Sequence, residues 1–232
     1  MSASPILVVV ALVAELAALR LLGERVQGQL LLLAERGRVR KLFLYALLAP
    51  GVALHEAAHA TAAGVSGAGV AEISLFHPRR SEEGIVLGYV QPKWQPRVPG
   101  GALFLALAPL LLPPLFLYLL ATYTLGATWA SPGAVFATVG GSLSSPTAWL
   151  WLFLFASMSL SNFPSNQDFR SLSVINRWII LPALGLAPLV AALTDPGLAA
   201  YVLRPYLILA SFLAPSALIC LVLAAGIWLL RE

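Results

Sequence analysis

Apolar positions in this chain do not alternate with polar ones; they run on. Six stretches, residues 4–22, 42–65, 98–123, 146–164, 172–193 and 204–230, are almost continuously hydrophobic. A helix that crosses a bilayer needs roughly 20 mainly apolar residues, so each stretch predicts a spanning helix. Between the first two, "GERVQGQLLLLAERGRVRK" (residues 23–41) mixes a Leu run with charges and predicts an interfacial amphipathic helix. Residues 66–97 break the pattern. There "AEISLF" and "GIVLGYV" flank the turn-rich "HPRRSEE", which predicts a β-hairpin. A hairpin beside a membrane has to hide its backbone polar groups in protein or in a water-filled cavity. Pro92, Pro96 and Pro99 then interrupt the chain before the third span. The fold class predicted is an all-α polytopic membrane protein of about six transmembrane helices. It carries a small β-hairpin-like insertion between helices 2 and 3, and residues 1–232 form a single domain.

Composition agrees with that pattern. The chain is 59% hydrophobic and only 10% charged, against about a quarter charged in ordinary globular domains. The net charge of +4 therefore reads as juxtamembrane Lys and Arg, and no nucleic-acid partner is expected. The expected surroundings are the lipid bilayer, as a multi-pass protein of a prokaryotic cell membrane. The first span lacks a basic leader and contains Glu15, which reads as a retained helix rather than a signal peptide. Cys220 is the single cysteine, so no intrachain disulfide is available and a packed thiol is expected. Six spans divide the 14 Lys and Arg evenly, seven to each side, so the positive-inside rule assigns no orientation.

One span carries chemistry. "LFLYALLAPGVALHEAAHATAAGV" (42–65) contains His55, Glu56 and His59. Positions four apart share one face of an α-helix, one turn above each other. Two imidazoles so placed can share a zinc ion, and the carboxylate next to the first can serve as general base towards water activated by the metal. The chain has three histidines, two of them in this motif; chance alone would produce such a pattern in roughly 0.001 sequences of this composition. The competing reading is polar glue between helices. It has to absorb roughly 2.5–3.5 kcal/mol for a charged carboxylate at mid-bilayer.

Hydrolytic zinc sites use three protein ligands and an open position. A further histidine at the usual downstream position is absent, since 62 is Ala and 65 is Val. The glutamates after His59 are Glu72, Glu82, Glu83 and Glu232, none inside a span. Two aspartates exist. Asp195 lies in "LTDPGL", where a local turn role suits it. Asp168 lies in "SLSNFPSNQDFRSL", a dense group of amides around Pro164 at the end of the fourth span, and is the candidate third ligand.

These residues together resemble the site-2 protease family of intramembrane zinc metalloproteases. The resemblance rests on "HEAAH" in a hydrophobic helix, a β-like segment after it, and an Asn/Pro/Asp motif in a later span, covering about residues 42–170. "LALAP" (105–109) is also similar to a Gly-Pro element in the family's next helix. The resemblance implies one Zn2+ per chain held by His55, His59 and Asp168, with Glu56 as catalytic base and Asn162 near bound substrate. It also implies a metal nearer the cytosolic leaflet. The second motif departs from the family's Asn-x-x-Pro and Leu-Asp-Gly pattern in spacing, and Phe169 stands where glycine is usual.

The expected function is thus hydrolysis of peptide bonds in transmembrane or membrane-proximal segments of membrane-protein substrates. The substrate would unwind and add as a β-strand to the 71–90 hairpin. Other readings stay open: a divalent-metal transporter, a non-catalytic scaffold of the same fold, or a membrane zinc peptidase of another lineage. The transporter would normally need more acidic or His groups along a pathway, and beyond the motif the spans offer little except Glu15.

Overall fold

The computed structural model describes residues 5–81, 84–98, 100–128, 133–161 and 196–229, with five further positions between 186 and 194. The chain is mostly helical. Six helices are described, α1 (Pro5–Ala34), α2 (Arg38–Val65), α3 (Gly101–Leu125), α4 (Ala134–Gly141), α5 (Pro146–Ser159) and α6 (Pro196–Leu229). Four short strands, β1 (Val70–Ser74), β2 (Arg79–Ser81), β3 (Gly84–Val86) and β4 (Tyr89–Pro92), fall between α2 and α3. Among the described residues three helical stretches are long and apolar enough to cross a membrane: Arg38–Val65, Gly101–Leu125 and Tyr201–Ile227. The expected span at 172–193 lies largely outside the described residues. Helix α5 has 14 residues, about 21 Å of rise, which is short of a hydrocarbon core roughly 30 Å thick.

The segment 23–41 is helical over most of its length but is not a separate element. Helix α1 continues through it to Ala34, and the break falls at residues 35–37 before α2 begins. Its Leu run packs inward: Val26, Leu30, Leu31 and Ala34 are buried with Leu19 in one core cluster that also contains Leu48, Val52 and Leu213. No proline lies between residues 6 and 49, and partners on α2 and α6 cover the apolar stripe, so the helix has no reason to stop at residue 23.

The strands pair as two antiparallel ladders, β1 with β4 and β2 with β3. Register runs Glu72 to Gln91, Ile73 to Val90 and Ser74 to Tyr89, with a bulge between Val70 and Glu72. The His77 N–H donates to the Leu87 carbonyl at 2.6 Å and joins the ladders into one hairpin. The expected hairpin is therefore present and extends slightly beyond 71–90. It leaves α2 through a Schellman turn: Gly67 has φ +73, and Ala68 N–H donates to the Ala63 carbonyl at 2.9 Å. A positive φ there favours glycine because it carries no Cβ.

Helix α2 is enclosed closely on two sides. Towards α3 the packing is by small residues, Ala58, Ala62, Ala63 and Ala108, which let two backbones approach as in other helix pairs of membrane proteins. Towards α5 the approach is closer still. Gly51 N–H donates to Ser157 Oγ at 2.7 Å, and a Cβ at Gly51 would lie 2.1 Å from the Ser157 carbonyl oxygen. Beyond α5 an aromatic cluster closes the core, with Trp151 stacked on Phe155 at 5.2 Å and Phe136 edge-on to Trp151 at 5.5 Å.

The Gly51 contact yields a stability prediction. Overpacking a tight site typically costs about 1–3 kcal/mol, and here the clash is with backbone that has no rotamer to move. Gly51→Ala should lower the thermal midpoint in detergent by several degrees, whereas Gly64→Ala, where a Cβ meets nothing within 4 Å, should not. Equal midpoints for the two variants would show that α2 and α5 are not in this contact.

Candidate metal centre

The motif residues lie on the inward face of α2. His55 is 9%, Glu56 7% and His59 8% exposed. The helical period does what the spacing requires: the two imidazoles stand one turn apart, with ring centroids 4.9 Å apart and planes at 72°. Two imidazoles on one tetrahedral zinc, with Zn–N about 2.1 Å, place their centroids roughly 5 Å apart. The separation of the two rings is compatible with a shared ion and equally with an edge-to-face ring contact.

His59 is further fixed from α3. Its Nδ1 lies 2.9 Å from the Leu105 carbonyl oxygen. A carbonyl only accepts, so Nδ1 is the donor in this contact, which leaves the lone pair on Nε2 whenever the ring is neutral. A ligating histidine typically donates its other nitrogen in this way, which sets its tautomer and orientation. Leu105 itself belongs to the small-residue cluster of Ala58, Ala62 and Ala108 that brings α2 and α3 together.

The hairpin closes on Glu56. A Cβ at Gly88 would lie 2.8 Å from Glu56 Cγ, 2.8 Å from the Ser74 carbonyl oxygen and 3.0 Å from that of Leu75. Gly88 therefore sits where β4 begins, between the opposite strand and the carboxylate's own side chain. Neighbouring Leu87 is buried in the core. The strand pair is braced on its outer side, where Tyr89 Oη donates to Glu72 Oε1 and the Arg79 guanidinium lies 5.1 Å from the Tyr89 ring centre. The hydrogen bond to Glu72, then burial and the Glu72 charge, raise the Tyr89 phenol above its ordinary pKa, with Arg79 opposing.

Among the described residues no group of three or more His, Cys, Asp or Glu side chains assembles as a metal site. His55 and His59 bring two donors. Asp168, Asn162 and Asp195 lie outside the described residues. Two contributors had no place in the sequence reading, Gly88 and the Leu105 carbonyl. A glycine inside "GIVLGYV" was the available signal for Gly88, since glycine in a strand often marks close approach of another chain segment. No family model, curated protein or solved structure matches the chain.

A methyl at position 88 has no room without moving the hairpin or Glu56. Gly88→Ala should raise amide hydrogen exchange across residues 70–92 while leaving α3 and α6 protected. Exchange identical to wild type throughout the hairpin would show that Gly88 is not pressed against α2.

Proposed function

We propose that this chain is an intramembrane zinc metalloprotease, similar to site-2 proteases, that cleaves transmembrane or membrane-proximal segments of membrane-protein substrates. The observation that carries this reading is the buried His55–Glu56–His59 face, whose imidazole spacing suits one ion and whose His59 donates through Nδ1. His55 and His59 hold one Zn2+ per chain with Asp168 as third ligand. When bound, zinc supplies a Lewis acid for a peptide carbonyl and brings the pKa of water down towards about 7.

The remaining chemistry belongs to the chain. Glu56 takes the proton of the attacking water and passes it to the leaving amine. Enclosure by α3 and the hairpin keeps bulk solvent from the carboxylate and strengthens its electrostatic interactions. Among the described residues β1 pairs only with β4, and β1 residues Val70 to Ile73 are exposed, which makes β1 the strand we assign to substrate pairing. An unwound substrate segment adds to that strand through main-chain hydrogen bonds, which demand little of its sequence. Asn162 contacts substrate near the metal. The reading includes the six-span plan, a multi-pass place in a prokaryotic cell membrane, and a site nearer the cytosolic leaflet.

Purified protein should carry about one zinc per chain, and His55→Ala or His59→Ala should lose most of it. Retention of full zinc by either variant removes that ligand from the set.

Glu56→Gln should keep zinc and lose about 10²–10⁴-fold in cleavage of a model transmembrane peptide, the usual span for a general base. Wild type that binds zinc and cleaves no such peptide supports the transporter or scaffold reading instead.

Asp168→Asn exchanges an anionic oxygen donor for a neutral amide, so zinc affinity should fall and cleavage should vanish. Asp195→Asn should leave both nearly unchanged. The opposite outcome for the two aspartates transfers the third ligand to Asp195.

A further inference from the structure

Proline at 109 stands in the interior of α3 and is buried. Proline has no amide hydrogen, so the carbonyl four residues earlier lacks the donor that α-helical geometry would bring to it. That carbonyl belongs to Leu105, the one that lies 2.9 Å from His59 Nδ1. A buried carbonyl without a donor is costly, and here the imidazole N–H supplies the partner. Helix α3 has two other interior prolines, Pro113 and Pro114. They withhold donors from the carbonyls of Pro109 and Leu110, away from the histidine.

We propose that Pro109 is a positioning residue for the metal centre: by withholding its N–H it keeps the Leu105 carbonyl for His59 and holds that ring as the Nδ1–H tautomer. A carbonyl oxygen has two lone pairs, so an added intrahelical bond would not exclude His59 by saturation. It acts through direction. An i→i−4 bond draws the C=O along the α3 axis, whereas a missing rung lets it tilt outward, here towards α2. Ala58, Ala62 and Ala108 keep the helices close enough for the bond to form. The consequence for zinc rests on the metalloprotease reading; the tautomer does not.

The test uses the full-length protein with 15N-labelled histidine, metal-free, at about pH 8, where an ordinary imidazole is neutral. The signal of His59 is assigned by its loss in His59→Gln. Three variants are compared with wild type. Pro109→Ala restores a donor. Pro109→lactate, a backbone ester introduced by nonsense suppression, removes the ring and still has no donor. Pro114→Ala alters α3 one turn further on.

Wild type, the ester and Pro114→Ala should show a protonated His59 Nδ1, while Pro109→Ala should show a mixture of tautomers. In chelator competition Pro109→Ala should bind zinc about 10–100-fold more weakly, the usual cost of losing a ligand's outer partner. The ester and Pro114→Ala should stay within about threefold of wild type. An unchanged tautomer and zinc affinity in Pro109→Ala would overturn the proposal. So would an ester as impaired as Pro109→Ala, since ring shape and not the missing donor would then be responsible. If Pro109→Ala fails to fold, the ester alone decides: a mixed tautomer there refutes the proposal. Wild type with the expected tautomer and no zinc affinity would refute the metalloprotease reading and leave the Pro109–His59 link standing.

Discussion

Three ionisable side chains on one apolar helix have to find their partners inside the protein, because hydrocarbon supplies none. Helix α2 places His55, Glu56 and His59 within five residues, and the elements around it pack closely on that part of the helix. Helix α3 brings a backbone carbonyl to His59. The hairpin brings Gly88 against Glu56. Helix α5 fixes α2 one turn before the motif, through the Gly51–Ser157 hydrogen bond. These contacts need short distances between backbones, which explains why Ala58, Ala62 and Ala63 face α3 and Gly51 faces α5, while Leu44, Leu48 and Val52 of the same helix pack in the cluster with α1 and α6. The aromatic weight of the core is kept to the far side, around Trp151, Phe155 and Phe212.

Prolines serve the same demand from within the helices. A proline inside a helix normally weakens it by about 3 kcal/mol, yet α2 carries Pro50 and α3 carries three. At both sites next to the motif the disturbance coincides with a bond between helices. Gly51, just after Pro50, donates to a side chain of α5. Leu105, one turn before Pro109, accepts from a side chain of α2. Local helix stability is thus exchanged for cross-links that set where the motif residues stand.

Much of this was legible in the chain, and what was not has a physical reason. The His55–His59 pair could be read because the helical period fixes the relation of positions four apart whatever surrounds them. The hairpin could be read because "AEISLF", "HPRRSEE" and "GIVLGYV" each contain their own local preference. The continuity of residues 23–34 with the first helix was less legible, since a Leu run between charges gives no signal of the α2 and α6 side chains that pack against it. The Leu105 carbonyl was invisible for a different reason. It is a main-chain atom, so its residue type says nothing; the informative residue was Pro109, four positions away, and its meaning depends on which helix faces it.

The hairpin's construction bears on what a site at this place can accept. Its strands have 5, 3, 3 and 4 residues, too little for an isolated ribbon to persist in water. It is held instead by its ends and its middle: the Schellman turn after α2, Arg97 N–H on the Ser66 carbonyl at 2.9 Å, and Leu87 in the core beside α2 residues Leu48 and Val52. Between those anchors β1 is largely exposed, with Ile73 at 45%. Unpaired strand edges invite another strand, and near hydrocarbon they must be met by water or by protein. The ribbon is anchored against α2 at Leu87 and Gly88, whereas β1 carries exposed side chains, so the anchor and the exposed strand are different parts of it. Under the proposed protease reading, this separation is what would let α2 hold Glu56 in place while the neighbouring strands accommodate an extended substrate segment.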